Sequence, residues 1–303
     1  MINLSTAIFI VINSKGGVGK STTSVEFVVP FLYKMCGFTE KKIKLFEVDS
    51  KNNTVELYKN SALFHGFLLK EKDDELKNVC IKEFSKLDRD YPLIFDIGVD
   101  AFDRAFEVFK NVVYNQDIIY CLPTKPSEGD TNNTAKTVEA IKKADPKANI
   151  IVFCTDSVSD SDESLKNEFG VLFGRYVQYE ENKFIEPLFK RVNIPEKYVA
   201  IKKSELFIKA PTSYRTTIYD ASLYGSQIHK IGEPTEIELK MDSLLTQMKA
   251  LQKDPKATQA DKDKLNAESE VLSFHMNFYK ECNGYVNEFF LPKFKEFQKL
   301  INK

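Results

Sequence analysis

The sequence predicts an α/β protein with a doubly wound, mostly parallel sheet that has helices on both faces, followed by a helical extension. Two observations predict this fold. Short apolar segments of the kind that buried parallel strands need alternate with longer segments whose apolar residues recur every three or four positions. The first apolar segment, residues 7–12, runs directly into a glycine-rich loop, residues 13–23. In such folds, ligands bind beyond the carboxyl ends of the strands.

The predicted elements alternate along the chain. The predicted strands are residues 7–12, 43–48, 93–96, 117–122 and 149–154. The predicted helices between them are residues 21–35, 73–88, 103–113 and 128–144. We expect Pro30 to kink the first helix or to end it early, because proline lacks the N–H that a helix interior needs.

The composition fits a soluble globular protein. The 303 residues are enough to bury a large core, and they are 43% hydrophobic and 29% charged. A net charge of −1 argues against a surface that binds nucleic acid everywhere, but it leaves room for a local basic face. Five widely spaced cysteines without a C-x-x-C pair predict reduced thiols in a cytoplasmic protein. We expect no signal peptide and no membrane-spanning segment.

The glycine-rich loop reads N-S-K-G-G-V-G-K-S-T-T and predicts a phosphate-binding site. Its three glycines let successive backbone N–H groups point at an anion, and the helix that follows adds its N-terminal partial charge. Lys20 would reach the β- and γ-phosphates of ATP, and Ser21 would place its hydroxyl on Mg²⁺. The alternative, a turn without a ligand, is disfavoured by the flanking strand and helix. The predicted cofactor-binding residues are Lys15, Gly16, Gly17, Val18, Gly19, Lys20, Ser21 and Thr22.

The loop departs from the general P-loop pattern, because Ser14 stands where that pattern begins with glycine. With Lys15 before the glycine pair, the loop resembles the deviant Walker A box of the ParA/MinD family of ATPases, written KGGxGK[ST]. The resemblance implies a homodimer that sandwiches ATP, in which Lys15 crosses the interface to the partner's nucleotide. It also implies that Lys15 and Lys20 are catalytic.

Two carboxylates follow the next strands. The run E-V-D-S-K-N-N from residue 47 resembles the family's D-x-D-P-Q-x-N signature, with Glu47 at its first aspartate and Asp49 at its second. The resemblance implies that Asp49 is catalytic and orients the attacking water; an Asx turn at a strand end is the alternative. Asp96 ends an apolar strand in the manner of a Walker B motif, which predicts a metal ligand, direct or through water. Gly98 replaces part of the family's proline pair and could donate its N–H to a γ-phosphate.

The resemblance continues more weakly to about residue 222, and residues 200–206 resemble the family's late strand and the S-E-L turn that ends it. Asp156 follows the fifth strand, where the family places an asparagine that reads adenine, so its carboxylate is a predicted contact of the base. Residues 183–215 hold eight basic and three acidic residues. This excess leaves two interpretations open, non-specific binding of duplex DNA and a solvated face whose charges scatter on folding. The candidate DNA contacts are Lys190, Arg191, Lys202, Lys203, Lys209 and Arg215.

We expect two domains, an ATPase domain of residues 1–231 and a helical extension of residues 232–303 that packs on it or on a partner. The extension contains three predicted helices, residues 233–253, 261–282 and 285–302. The last helix has an apolar face and a basic face, so membrane binding, packing or self-association, and partner binding all remain open.

By resemblance, the protein is a Mg²⁺-dependent ATPase that dimerises on ATP and acts in the cytoplasm at the nucleoid. Such a protein binds DNA without sequence preference and is released when a centromere-binding adaptor stimulates hydrolysis, which moves a plasmid or chromosome. Three alternatives remain: a membrane-cycling positioning ATPase of the MinD kind, an accessory ATPase of conjugation or secretion, and a scaffold with a decayed site.

Overall fold

The computed structural model describes residues 2–49, 52–69, 73–86, 88–112, 118–159, 161–177, 183–227, 236–253 and 258–303. The chain divides into two compact units. The first is Met1–Thr217 together with Leu291–Lys303, and the second is Ile218–Phe290. The predicted boundary at residue 231 lies outside the described residues. The division differs from the predicted one in that residues 291–303 belong to the first unit.

The strands of the first unit form the predicted parallel sheet. In chain order they are β1 (Ile8–Ile12), β2 (Ile43–Val48), β3 (Phe64–Leu69), β4 (Leu93–Ile97), β5 (Ile118–Thr124), β6 (Asn149–Ser157), β7 (Arg175–Val177), β8 (Lys183–Ile185) and β9 (Tyr198–Lys202). Within the described residues, seven of them pair in the order β3-β2-β4-β1-β5-β6-β9, and every pair is parallel. β7 and β8 form a separate antiparallel pair. The predicted fold class is confirmed.

The helices of the first unit surround this sheet. They are α1 (Val29–Met35), α2 (Thr54–Leu57), α3 (Asp73–Phe84), α4 (Phe102–Val112), α5 (Glu128–Ala144), α6 (Asp162–Glu168), α7 (Gly170–Phe173), α8 (Leu188–Arg191) and α9 (Leu206–Lys209). The second unit contains α10 (Ile218–Gln227), α11 (Glu236–Lys253) and α12 (Gln259–Tyr285), and α13 (Leu291–Ile301) returns to the first unit. No helix among these is long and apolar enough to cross a membrane.

The order of the strands places the glycine-rich loop at the switch point of the sheet. β1 lies between β4 and β5, with β2 and β3 beyond β4 on one side and β6 and β9 beyond β5 on the other. The carboxyl end of β1 therefore opens into the crevice where doubly wound sheets bind ligands. Every residue of β1, β4 and β5 is buried, which explains why these strands have continuous apolar sequences.

The helix after the loop starts with an unusual hydrogen-bonding pattern. Residues Thr22–Val28 are π-helical, and the α-helical pattern begins at Val29. Pro30 lies in the interior of a helix that runs without a break from Lys20 to Met35, directly after its π-helical segment. The helix does not end early at this proline.

The last helix packs its apolar face inside the first unit. The rings of Phe294 and Phe297 on α13 lie 5.3 Å and 5.6 Å from the ring of Phe27. Phe297 also lies 4.7 Å from Phe31, and Phe294, Phe297 and Ile301 are buried. Of the three possibilities for the terminal helix, the structure shows packing on its own unit.

Some elements differ from the sequence prediction. β3 and the β7–β8 pair were not predicted; β3 is an edge strand with exposed residues on one face, so it lacks the continuous apolar sequence of a buried strand. The predicted break between the last two helices is wrong, because the helical residues continue from α12 through a π-helical segment, Val286–Phe290, into α13. The described part of the second unit buries Leu244 of α11 and Leu265, Phe278 and Cys282 of α12.

Candidate nucleotide site

The glycine-rich loop needs two of its glycines for their backbone conformation. Gly17 and Gly19 have φ angles of 73° and 90°, in the left-handed region that side chains disfavour. A Cβ on Gly19 would also lie 3.1 Å from the side chain of Thr155. The Thr155 hydroxyl, at the end of β6, donates to the carbonyl oxygen of Val18 at 2.7 Å. The loop is therefore held against the carboxyl end of a second strand.

The residues before the glycines anchor the loop to β5 and α5. The Asn13 side chain is buried, and its Nδ2 donates to the carbonyl oxygen of Pro123 at 2.8 Å. The backbone N–H of Ser14 donates to Oγ1 of Thr137 at 3.1 Å. Ser14 Oγ lies 3.4 Å from the carbonyl oxygen of Asn133 on the same helix. The serine that departs from the P-loop pattern therefore makes its own contacts with α5.

Beside the loop lies a cleft of about 670 Å³ at the carboxyl edge of the sheet. Residues at or after the carboxyl ends of β1, β2, β4, β5 and β6 contribute to its walls. The lining residues are Gly16, Gly17, Gly19, Lys20, Ser21, Thr22, Glu47, Asp49, Asn52, Thr54, Asp96, Val99, Asp100, Lys125 and Asp156. Most of the predicted site residues come together here, although Lys15 and Val18 are not among the lining residues.

Lys20 lies in the cleft with two carboxylates around it. Its Nζ donates to the carbonyl oxygen of Lys15 at 3.0 Å, which closes the loop. Burial lowers the pKa of Lys20, while the charges of Asp96 and Asp49 act in the opposite direction. A partly desolvated ammonium group with remaining donors is suited to bind an anion.

Asp96 is almost fully buried beneath the loop. The Ser24 hydroxyl donates to its Oδ2 at 2.7 Å. Burial raises the pKa of Asp96 to about 6, against the effects of the Ser24 hydrogen bond and the Lys20 charge, and the charge of Glu47 raises it further. A carboxylate in this environment is stabilised by a cation placed beside it, which is the condition at a metal site.

Asp49, which directly follows β2, is held by Asn52, three residues further along the chain. Its Oδ1 accepts the backbone N–H of Asn52 at 3.0 Å, and its Oδ2 accepts Asn52 Nδ2 at 2.8 Å. A Cβ on Gly98 would lie 2.7 Å from Asp49 Oδ2, so glycine is needed at this close approach. The Gly98 N–H already donates to the carbonyl oxygen of Val48 at 2.7 Å, so the expectation that it serves a γ-phosphate is wrong for this conformation.

Lys15 turns toward α5. Its Nζ lies 2.6 Å from Asp130 Oδ1, and its side chain is 43% exposed. Burial alone would raise the pKa of Asp130, but hydrogen bonds with Lys15 and Ser127 outweigh it and hold the pKa below its usual range. The sequence analysis did not find Asp130, because nothing in the local pattern connects the first turn of α5 with the loop.

Asp156 occupies a bulge at the end of β6. Its φ angle is 59°, and the pairing between β6 and β9 shifts at this residue. Lys125, which follows β5, lies 2.7 Å from Asp156 Oδ2, and both residues line the cleft. Lys125 is a second site residue that the sequence analysis missed.

The candidate DNA contacts lie on several elements of the first unit. Arg191, Lys202 and Lys203 are exposed, whereas Lys209 and Arg215 are half-buried. Lys190 is exposed and forms an ion pair with Glu186 at 2.6 Å. These residues belong to α8, the end of β9, α9 and the turn at Arg215, so the chain does not bring them together in a single element.

In structure, the chain is similar to known ATPases and partition proteins. A McdA–ATP complex from Cyanothece is 15% identical with a TM-score of 0.41, and the match covers 71% of this chain and 89% of that one. A putative plasmid partition protein from Borrelia burgdorferi, bound to AMPPNP, is 13% identical with a TM-score of 0.43 over 70% and 90% of the two chains. The cell division ATPase MinD of Pyrococcus furiosus is 14% identical with a TM-score of 0.42 over 74% and 92%.

At these identities the similarity concerns the fold alone. No protein-family model matches the chain, and no curated protein sequence matches it. The function is therefore inferred below from the residues of the cleft.

Proposed function

We propose that this protein is a Mg²⁺-dependent ATP hydrolase that dimerises on ATP, binds DNA without sequence preference and drives the segregation of a plasmid or chromosome. One observation carries the catalytic part of the proposal. The glycine-rich loop, Lys20, Ser21, Asp49 and Asp96 line one cleft at the switch point of the sheet, although they come from three separate parts of the chain.

Each group in the cleft has a role in phosphoryl transfer. The N–H groups of residues 16–22 and the ammonium group of Lys20 bind the phosphates, and Thr22 continues this cradle at the start of the helix. Asp49 accepts a hydrogen bond from the attacking water and aligns it with the γ-phosphate. Asp156 contacts the base from the end of β6.

The donors of the cleft fit Mg²⁺. Ser21 offers a hydroxyl, and Asp96 offers a buried carboxylate whose pKa is raised by burial, so a cation beside it would stabilise its charged form. Among the described residues, no group of three or more His, Cys, Asp or Glu side chains could hold a metal, but Mg²⁺ needs only one or two protein ligands besides phosphates and water. When bound, Mg²⁺ neutralises charge on the transferring phosphoryl group. Ser21 and Asp96 would hold it, directly or through water.

Lys15 is the residue that we assign to the dimer. In one protomer its ammonium group is held by Asp130, so crossing to a partner's nucleotide requires this ion pair to break. The half-exposed position of the side chain makes that exchange possible, because a partly exposed ion pair contributes little to stability. ATP then favours the dimer by offering Lys15 a more strongly charged partner.

The proposed partners are DNA and a centromere-binding adaptor that stimulates hydrolysis. The exposed cations Arg191, Lys202 and Lys203 support the DNA part, and the printed names of the Borrelia proteins point to plasmid partition. A membrane-cycling role is less well supported, since the apolar face of α13 is buried. The proposed location is the nucleoid in the cytoplasm.

The proposal is tested by measuring ATP-dependent association and DNA binding in one series. Light scattering of the wild type should show dimers with ATP and monomers with ADP, whereas Lys15→Ala should remain monomeric. Lys34→Ala, which changes an exposed lysine of α1, serves as the control. A random duplex should bind only with ATP and less tightly at higher salt. Equal binding in all nucleotide states would refute the DNA part.

A further inference from the structure

The hydroxyl groups of Thr54 and Ser21 meet in the cleft from two different segments. Thr54 Oγ1 donates to Ser21 Oγ at 3.2 Å, and both residues line the cleft. Thr54 is the first residue of α2, five positions after Asp49, and it is 9% exposed. No motif pointed to this threonine, since it stands after the last matched position of the D-x-D signature.

A buried carboxylate fixes the backbone at Thr54. Glu47 Oε1 accepts the N–H of Thr54 and Glu47 Oε2 accepts the N–H of Val55, both at 2.9 Å. Glu47 is 2% exposed and lies beside Asp96, because β2 and β4 pair at these two residues. A buried carboxylate that accepts two N–H groups is strongly directional. Glu47 therefore fixes the backbone that carries the Thr54 hydroxyl, and the hydrogen bond to Ser21 orients the hydroxyl itself.

The separation of the two hydroxyls matches the geometry of a magnesium ion. Mg²⁺ binds six oxygens at about 2.0–2.1 Å in an octahedron, so two adjacent ligands lie about 3 Å apart. The Ser21 side chain also lies near the carboxylate of Asp96 and acts to lower the pKa of that group. When the Ser21 hydroxyl donates to that carboxylate, its oxygen keeps lone pairs that can face a metal, and the Thr54 oxygen stands next to it.

We propose that Thr54 supplies a second hydroxyl ligand to the Mg²⁺ ion, adjacent to Ser21, and that Glu47 is the positioning residue that holds Thr54 in place. This inference rests on the proposed function. Its consequence is that the metal joins the segment after Asp49 to the phosphate-binding loop. Thr54 would then be linked to the phosphate-binding loop through the metal as well as through its hydrogen bond to Ser21.

The first test compares nucleotide affinity with Mg²⁺ and with EDTA, using AMPPNP and calorimetry. Thr54→Val should reduce the enhancement of affinity by Mg²⁺ about tenfold or more and leave the affinity in EDTA within about twofold. Thr54→Ser keeps a hydroxyl and should behave as the wild type. The control is Thr131→Val, a buried threonine whose hydroxyl donates within α5 to Ser127. An unchanged enhancement in Thr54→Val, or an equal loss in EDTA, overturns the proposal.

The second test separates a metal ligand from a residue that only orients Ser21. Thr54→Cys places a soft sulfur ligand at this position, so the preference for Cd²⁺ over Mg²⁺ in nucleotide binding should rise at least about tenfold over the wild type. An unchanged preference shows that residue 54 does not touch the metal. In the Thr54→Cys protein, adding Glu47→Gln should reduce the gained Cd²⁺ preference; lower stability with the preference intact contradicts the positioning role of Glu47.

Different results would contradict the proposed function and the proposed role of Thr54. If the wild type does not bind AMPPNP under any condition, the proposed function fails. If it binds and depends on Mg²⁺, but Thr54→Val and Thr54→Cys behave as the wild type, only the role of Thr54 fails.

Discussion

The nucleotide cleft and the basic segment of residues 183–215 are organised in different ways. In the cleft, side chains that are far apart in sequence meet because the carboxyl ends of neighbouring parallel strands share one edge. In the basic segment, neighbours in sequence spread over several short elements, and Lys190 is already paired with Glu186. The topology of the sheet therefore determines where a motif at a strand end lies. The number of basic residues in a segment does not determine where each of them lies. The free-energy effects of substitutions within the cleft should therefore be non-additive, whereas those of substitutions within the basic segment should be additive.

The largest effect is expected for Lys20→Ala. Removing one partner of a buried charge interaction costs about 4 kcal/mol, so the affinity for ATP should fall by nearly 1,000-fold. Fluorescent-nucleotide titration measures this loss, with Lys34→Ala as the control. A normal affinity of Lys20→Ala for ATP would contradict the assignment of the cleft as the nucleotide site.

Asp96→Asn should increase the stability of the nucleotide-free protein while it weakens metal-dependent binding. The folded-state pKa of Asp96 is raised from 3.8 to about 6, so ionising this carboxyl destabilises the folded state as pH rises through that window. The free energy of unfolding of Asp96→Asn should exceed that of the wild type by about 3 kcal/mol at pH 7.5 and by little at pH 4. Denaturant unfolding at both pH values measures the difference, and Asp242→Asn on exposed α11 is the control. A gain that is equal at both pH values would contradict the cause given for this pKa.

Asp49→Asn should separate hydrolysis from binding. The change keeps the size of the side chain but weakens its ability to accept a proton or to align the water, so kcat should fall about 100-fold. The affinity for AMPPNP should change by less than about threefold, since the phosphates are bound by the loop. A phosphate-release assay and calorimetry together check this prediction. Undiminished hydrolysis would assign Asp49 to a turn at the end of its strand.

The smallest effects are expected in the basic segment. Lys202→Glu and Lys203→Glu should each weaken binding to unrelated duplexes equally and lower the salt dependence by about 0.9 per lost phosphate contact. Their effects should add in the double variant. Lys295→Glu with Lys299→Glu, on the exposed face of α13, is the matched control. If only one duplex is affected, or if the α13 pair has the larger effect, the DNA surface lies elsewhere.

The sequence predicted the fold and the principal residues of the cleft for a physical reason. Buried parallel strands have continuous apolar sequences, and polar residues at their carboxyl ends lie at the ligand-binding edge, which located Asp49 and Asp96. Lys20 was located by the glycine-rich motif that follows the first strand. The basic residues could be counted but not placed, because loops and short helices decide where each one points.

The contacts that could not be predicted join residues without a local pattern. Ser14 meets Thr137 across 123 positions, and Lys15 meets Asp130 on the same helix α5. The pairing of Glu47 with the N–H groups of α2 depends on how the chain turns after β2. The burial of Phe297 among Phe27 and Phe31 depends on the return of α13 to the first unit. Spacing within one segment contains no information about these long-range contacts.

The most direct test of the central claim is hydrogen exchange of the backbone amides with and without Mg²⁺ and AMPPNP. If the cleft is the nucleotide site, exchange should slow at residues 16–22, whose N–H groups bind the phosphates, and at the segment that follows Asp49. Saturating binding that leaves the exchange of residues 16–22 unchanged would contradict the assignment of the nucleotide to this cleft.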